Sequence, residues 1–179
     1  MIANNIANLD TPGFRREGMV FSEFVHARGT VESVSMADMG ARWFSPGPGD
    51  LRVTGAALDL AIEGEGFFAL QSADGPLLTR AGAFQRGPDG ALVTSAGLPV
   101  LDAGEAPILL PPDAGEVTVA RDGTISIDGA PFGQIGVFTA APEALSRVGG
   151  AAFTSSAGIE ALPAPRVMQG ALEGSNVDA

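Results

Sequence analysis

Short apolar runs alternate with turn-forming residues from Leu51 to about Phe153. In one such run, Leu58, Leu60 and Ile62 recur at every second position, the period that places side chains on one face of a strand. Runs that recur every 8 to 12 residues or so, about the spacing seen here, are typical of a sandwich or barrel-like all-β domain. Strands do not alternate with long helices, as an α/β fold requires. The sequence therefore predicts a mainly β protein with a compact β-sandwich or barrel-like central domain.

One hairpin is predicted by its turn. The apolar pairs Val117/Val119 and Ile125/Ile127 flank the dipeptide Asp122-Gly123. An Asp-Gly pair between two alternating runs is a strong hairpin signal, because both residues tolerate the positive φ of such a turn. We therefore expect two antiparallel strands joined at this dipeptide.

The pattern changes on both sides of this central region. Ile2, Ile6 and Leu9 have the spacing of a helix face, which Thr11-Pro12-Gly13 ends. Apolar residues over positions 20–27 predict a second short helix, and a Pro- and Gly-rich stretch up to position 50 predicts a linker. Residues 162–179 read as an extended segment. The predicted organisation is an N-terminal motif, short helix and linker over 1–50, a central β-rich domain over 51–161, and a C-terminal segment over 162–179.

Composition narrows the classes of function. With 10 Lys and Arg against 21 Asp and Glu, the net charge is −11, so the chain lacks the positive charge that a phosphate backbone or an anionic membrane requires. It contains no cysteine, which excludes disulfides and thiolate metal sites. No apolar stretch is long enough to span a bilayer, and the N-terminus lacks the pattern of a secretory signal peptide. We expect no nucleic-acid partner and no membrane insertion.

Few residues suggest catalysis. The single histidine, His26, is expected to be a solvated side chain in a helix or linker, and no G-x-S-x-G motif is present. The carboxylates of Asp59, Glu63 and Glu65 could form an acidic cleft, so a secreted β-rich binding or hydrolytic domain is kept as the alternative function. The principal hypothesis includes no catalytic, cofactor-binding or metal-binding residues, no cofactor and no small-molecule substrate.

Three segments carry a resemblance to a known family. The first, residues 3–16, contains Ala-Asn-Asn-Ile-Ala-Asn and then Thr-Pro-Gly-Phe-Arg. The second combines residues 58–68, which end in Gly-Glu-Gly-Phe-Phe, with Thr-Arg-Ala-Gly-Ala-Phe at 79–84. The third, residues 167–178, contains Gln-Gly-Ala-Leu-Glu-Gly-Ser-Asn-Val. In this order and spacing they resemble the axial proteins of the bacterial flagellum, specifically the basal-body rod proteins. The segments 97–102, 107–111 and 117–124 favour the proximal rod type, with the distal type as the next choice.

The resemblance implies a structural subunit rather than an enzyme. Such a subunit self-assembles with neighbouring rod proteins, transmits motor torque and reaches the periplasmic basal body without a cleaved signal. The family places one helix before the first motif and another after the third. We therefore expect this chain to be trimmed, and residues 1 to about 20 and the last ten to be mobile or held by other contacts. A regulatory fragment that binds a flagellar chaperone is a further alternative.

The resemblance also implies where assembly contacts lie. Asparagine and glutamine amides can donate to and accept from neighbouring backbones, and glycine permits close approach. The structural hypothesis predicts that the two chain ends emerge side by side without a deep polar pocket, whereas the acidic-cleft hypothesis predicts convergent carboxylates. The candidate assembly residues are Asn4, Asn5, Asn8, Thr11, Gly13, Phe14, Gln169, Gly170, Glu173, Gly174, Ser175 and Asn176.

Overall fold

The computed structural model describes residues 2–26, 34–45 and 47–177, with residues 19–26 and 34–44 described through their backbone alone. One short helix, α1 (Ile2–Ala7), and a 3₁₀ turn (Pro142–Ala144) accompany many short strands. The fold is therefore mainly β, as the sequence predicts. The strands are β1 (Glu17–His26), β2 (Val34–Phe44), β3 (Leu51–Val53), β4 (Leu60–Ile62), β5 (Phe67–Leu70), β6 (Leu77–Thr79), β7 (Phe84–Arg86), β8 (Leu92–Thr94), β9 (Val117–Val119), β10 (Thr124–Ile127), β11 (Ala130–Gln134), β12 (Val137–Thr139), β13 (Leu145–Gly149), β14 (Ala152–Ser155), β15 (Glu160–Ala161), β16 (Val167–Gln169) and β17 (Ala171–Glu173).

The strands form several small open sheets. The largest has the order β13-β14-β6-β5-β12-β15, and a second has the order β11-β10-β9. Four further pairs are β1–β2, β7–β8, β16–β4 and β17–β3, and all of the strand pairings are antiparallel. Within the described residues these sheets do not close into a barrel.

The predicted hairpin is confirmed. β9 and β10 pair in the register Ile125 to Val119, with the turn at Asp122-Gly123. Gly123 has a φ of +83°, and its N–H donates to the Ala120 carbonyl oxygen at 2.9 Å. Local turn chemistry therefore determines this element.

The core lies between the sheets. In β4, Leu60, Ala61 and Ile62 are all buried, so this strand is covered on both faces rather than on one. Phe68 of β5 packs edge-on against Phe84 of β7, with ring centroids 5.1 Å apart. The motif segments 58–68 and 79–84 thus supply the centre of the hydrophobic core.

The predicted helix over residues 20–27 is wrong for the part that the structure describes. Glu17–His26 forms β1, which pairs with β2, so His26 and Trp43 both lie on strands. Val20, Phe21, Phe24 and Val25 are β-branched or aromatic, and a partner strand favours them over a marginal short helix. The predicted linker likewise contains β2, while residues 27–33 and Pro46 lie outside the described residues.

Candidate functional site: the junction of the terminal motifs

The C-terminal motif is built into the central strands. β16 pairs with β4, placing Val167 opposite Ile62, and β17 pairs with β3, placing Ala171 opposite Val53. Gly170 joins the two strands with a φ of +72°. Its N–H donates to the Asp59 carbonyl oxygen at 2.8 Å. The last motif is therefore anchored through backbone hydrogen bonds.

The N-terminal motif runs alongside the C-terminal one. The Gly13 N–H donates to the Glu173 carbonyl oxygen at 2.8 Å, and the Asn176 N–H donates to the Phe14 carbonyl oxygen at 3.1 Å. The Arg16 N–H donates to Asn176 Oδ1 at 2.6 Å. The structure thus brings together two motifs from opposite ends of the sequence, as the structural hypothesis predicts. We call residues 13–17 and 173–176 the junction.

Gly13 lets the first motif lie directly on the domain. Its φ is +68°, and a Cβ atom there would lie 2.3 Å from the backbone nitrogen of Ala81 and 2.3 Å from the carbonyl carbon of Arg80. The next residue, Phe14, is buried. The Thr-Pro-Gly-Phe segment is therefore docked on the Thr-Arg-Ala-Gly segment.

A buried carboxylate lies at the centre of the junction. Glu173 is 1% exposed, and its Oε1 and Oε2 atoms lie 3.0 Å from Nη2 of Arg15 and from Nη1 of Arg80, respectively. Oε1 also accepts a hydrogen bond from the Gly49 N–H at 3.0 Å. Burial lowers the pKa of Arg15 and of Arg80, and the charge of Glu173 partly opposes this. One side chain therefore connects the N-terminal motif, the segment after β2 and the central domain.

A second cation holds the N-terminal motif from β13. The Arg147 guanidinium lies 4.3 Å from the ring centroid of Phe14 and 4.7 Å from that of Phe153. Its Nε lies 2.6 Å from Glu17 Oε1. Burial lowers the pKa of Arg147, and Glu17 partly opposes this. The 3₁₀ turn at Pro142–Ala144 leads into β13, so Arg147 lies on a strand that pairs with β14.

The asparagines of the first motif bind within the chain. The Asn5 side chain donates to the Glu17 carbonyl oxygen at 3.0 Å and accepts from the Glu17 N–H at 3.1 Å. The Asn8 amide donates to the Asn4 carbonyl oxygen at 2.7 Å, and Thr11 Oγ1 donates to Asn8 Oδ1 at 3.1 Å. Asn5 therefore holds α1 beside the start of β1, while Asn8 and Thr11 stabilise the end of α1 and the turn that follows it.

The remaining candidates divide between the junction and a second location. Gln169 Nε2 donates to the carbonyl oxygens of Ala57 and Val117, at 2.8 and 2.9 Å, and its Oε1 accepts from the Val119 N–H at 3.1 Å. It therefore ties β16 to the edge of β9 instead of joining the junction. Gly174 belongs to the junction, where its N–H donates to the Asp50 carbonyl oxygen at 2.8 Å. Ser175 Oγ accepts from the Val177 N–H at 3.3 Å.

The sequence patterns do not single out the three arginines at this site. Arg15 and Arg80 lie inside quoted motifs, and Arg147 lies in none of them. All 10 basic residues of this acidic chain are arginines, and the presence of arginine inside two of the motifs is the signal that the sequence offers. Their convergence on Glu173 and Glu17 depends on the chain path, which no local pattern contains.

The acidic residues proposed for a cleft do not line an open groove beside β3, β9 and β16. This groove, of about 360 Å³, is bordered by Val53, Val117, Gln169 and Glu116 among others, and not by Asp59, Glu63 or Glu65. Asp59 Oδ2 instead accepts a hydrogen bond from Thr54 Oγ1 at 2.6 Å. Among the described residues, no cluster of acidic or histidine side chains could hold a metal ion. No helix within the described ranges is long and apolar enough to cross a membrane.

Comparison with known proteins connects the two motifs and the central domain to one family. Residues 61–127 match the family described as the flagellar hook protein FlgE/F/G D1 domain, and residues 1–15 match the flagella basal body rod protein family. The chain is 39% identical over 186 residues to the flagellar basal-body rod protein FlgF of Rhizobium meliloti (strain 1021), covering 99% of this chain and 75% of that protein. This chain belongs to the flagellar basal-body rod protein family.

Other members of the rod-protein family match over similar lengths. FlgF of Caulobacter vibrioides (strain ATCC 19089 / CIP 103742 / CB 15) is 39% identical over 188 residues, covering 99% of this chain and 75% of that protein. FlgG of Agrobacterium fabrum (strain C58 / ATCC 33970) is 34% identical over 211 residues, covering 100% of this chain and 79% of that protein. The match thus includes the terminal motifs and the β-domain together.

Replacing Asn176 with Asp is expected to weaken the junction by about 1 to 3 kcal/mol. The Asn176 amide donates to the Gly47 carbonyl oxygen at 2.7 Å, and an ionised carboxylate would face that oxygen without a donor. Amide hydrogen exchange at Gly13 and at position 176, with denaturant unfolding, measures the effect, because both amides donate across the junction. Gln85→Glu adds the same charge at an exposed position and should leave the junction unchanged. Equal exchange in both variants would contradict the assigned hydrogen bond.

Proposed function

We propose that this chain is a structural, non-enzymatic subunit of the flagellar rod that self-assembles with neighbouring rod proteins and transmits motor torque. The observation that carries the proposal is the direct contact between the two terminal motifs. The Gly13 N–H donates a hydrogen bond to the Glu173 carbonyl oxygen, and the Asn176 N–H donates one to the Phe14 carbonyl oxygen. Segments that continue from both motifs would start at one place on the domain, where they could pack against each other.

Repeated self-association explains how such a subunit would build a rod. A head-to-tail contact that does not close on itself produces a helical tube. In the proposed arrangement the terminal segments form the inner layer and the β-domain the outer layer. Torque transmission needs a fixed angle between these layers. The buried ion pairs of Glu173 with Arg15 and Arg80 provide directional contacts that support such a fixed angle.

Part of the first motif remains exposed for partners. Ile2 and Ile6 are exposed on α1, although they are large apolar side chains. We propose that this face, with the neighbouring polar groups of Asn4 and Asn8, contacts a neighbouring rod subunit. The other candidates, which also hydrogen-bond within the chain, are proposed to support that contact by fixing the backbone. The proposed organisation keeps segment 1–50, domain 51–161 and segment 162–179.

The proposed location is the periplasmic part of the basal body, reached without a cleaved signal. The relatives at 34% and 39% identity are named as basal-body rod proteins, which supports the basal body as the location. The segments 97–102, 107–111 and 117–124 resemble those of the proximal rod type. We therefore propose the proximal type, with the distal type as the next choice and other rod subunits as partners.

Sedimentation provides the test of self-assembly. Residues 1–179 would be compared with a chimera that adds the terminal segments of the Rhizobium meliloti FlgF that this chain does not cover. We expect the chimera alone to form large assemblies, because added helices would meet at the junction. The same chimera should restore motility to a strain that lacks its own FlgF. A chimera that stays monomeric and does not restore motility would contradict the proposed function.

A further inference from the structure

We propose that Glu173 is a positioning residue that fixes the direction in which both terminal motifs leave the β-domain. This inference rests on the proposed function, because direction matters only if the motifs continue into an assembled rod. It assigns Glu173 an interior role, in place of a contact at the surface between subunits.

Glu173 is bonded through both its backbone and its side chain. Glu173 lies opposite Leu51 where β17 pairs with β3, and its carbonyl oxygen accepts a hydrogen bond from the Gly13 N–H. Its carboxylate accepts from Arg15, Arg80 and the Gly49 N–H. A shift of any one segment would therefore break contacts to the others.

Arg80 provides the fixed reference in this arrangement. Its Nη1 donates to the Ile62 carbonyl oxygen at 3.2 Å and its Nη2 to the Gly64 carbonyl oxygen, so it is held by the central domain. Its guanidinium also lies 5.5 Å from the Phe67 ring centroid. The Arg80 side chain, which is held by the central domain, thus fixes the position of the Glu173 carboxylate. The carboxylate in turn fixes the position of the Arg15 guanidinium.

The charges explain why a carboxylate occupies this position. Buried ion pairs are often no more stabilising than apolar residues of similar size, but their charge-assisted hydrogen bonds are directional. Arg15 and Arg80 are both buried and both positive, and Glu173 lies between them. Without its charge, two desolvated cations would repel each other. Arg15 is expected to leave, because it lies on a terminal segment and Arg80 does not.

Hydrogen exchange of Glu173→Gln tests the positioning role directly. We expect exchange at the Gly13, Gly49 and Asn176 amides to accelerate roughly tenfold to hundredfold, since local opening would replace a tightly held state. Exchange at the core amides of Val100 and Ile108 should change less than about threefold, because their bonds lie in the central domain.

Two further variants keep the test decisive. Glu160→Gln removes an equal charge at an exposed position and should leave every one of these amides unchanged. Arg15→Met removes only the N-terminal partner and leaves the Arg80–Glu173 pair intact. In Arg15→Met, hydrogen exchange at the Gly13 amide should accelerate while exchange at the core amides stays slow. This variant therefore tests the proposal even if Glu173→Gln fails to fold. Wild-type protection of Gly13 in both Arg15→Met and Glu173→Gln would overturn the proposal.

Assembly of the chimera separates this proposal from the proposed function. If the unmodified chimera assembles and its Glu173→Gln form does not, the positioning role is supported. If both assemble into rods of equal length and straightness, the positioning role is overturned while the proposed function stands. If the unmodified chimera itself fails to assemble, the proposed function fails, and the positioning role fails with it.

Discussion

Gly82→Ala is expected to unfold the central domain. A Cβ atom at this position would lie 1.6 Å from the Leu60 carbonyl oxygen and 3.2 Å from Cε2 of Phe68. The Leu60 N–H also donates to the Gly82 carbonyl oxygen at 2.9 Å, so the two backbones cannot separate without losing that bond. We expect a loss of more than about 4 kcal/mol, which is exceptional for one substitution. Circular dichroism and denaturant unfolding measure it.

Gly133→Ala is the matched control. Its added Cβ atom would meet no atom within 4 Å, and its φ is not positive. Replacing Gly by Ala in a strand should change stability by less than about 1 kcal/mol, because Ala loses less conformational freedom on folding. If Gly82→Ala were as stable as Gly133→Ala, the close approach of segment 79–84 to β4 would be contradicted.

Gly13→Ala is expected to release the N-terminal motif while the β-domain remains folded. The added Cβ atom would clash with backbone atoms of Arg80 and Ala81. The alanine would also have to adopt the positive φ of Gly13, which residues with a Cβ atom disfavour. Release would expose Arg15, which is 4% exposed in the folded protein. Trypsin should then cleave after Arg15 roughly tenfold faster or more, because the cleavage rate follows the open population. The chimera carrying this change should not assemble.

Gly97→Ala separates backbone strain from the clash. Gly97 has a φ of +80°, but its added Cβ atom would meet nothing within 4 Å. This variant should lose about 1 kcal/mol or somewhat more through strain alone, with trypsin cleavage after Arg15 unchanged. Equal cleavage of the Gly13→Ala and Gly97→Ala proteins would mean that the first motif does not dock as described.

The two glycines explain why the quoted motifs carry so much of this fold. Gly82 lies in Thr-Arg-Ala-Gly-Ala-Phe and touches β4, while Gly13 lies in Thr-Pro-Gly-Phe and touches the backbone beside Arg80. At each of these two glycines, another segment of backbone approaches so closely that a residue with a Cβ atom would clash with it. Through these contacts the junction packs on residues 80–82, and residues 80–82 pack on β4.

The elements whose structure depends on a few adjacent residues can be predicted from the sequence. The Asp122-Gly123 hairpin follows from the turn itself, and the apolar spacing of Ile2 and Ile6 indicated the helix α1. The apolar residues over positions 20–27 predict a helix, but an apolar cluster that short does not distinguish a helix from a strand. The strand forms because residues 34–44 pair with it, and that partner cannot be inferred from the segment alone.

The sequence by itself determined the mainly β class, the hairpin turn and the three motifs that resemble rod proteins. Only the tertiary structure decided that Asn176 bonds to Arg16, 160 residues away, and that Glu173 pairs with Arg80, 93 residues away. Turn and strand preferences act over a few residues, so they can be recognised in the chain. Ion pairs between distant segments depend on how the sheets pack and which side chains lose their water, and these are properties of the folded chain alone.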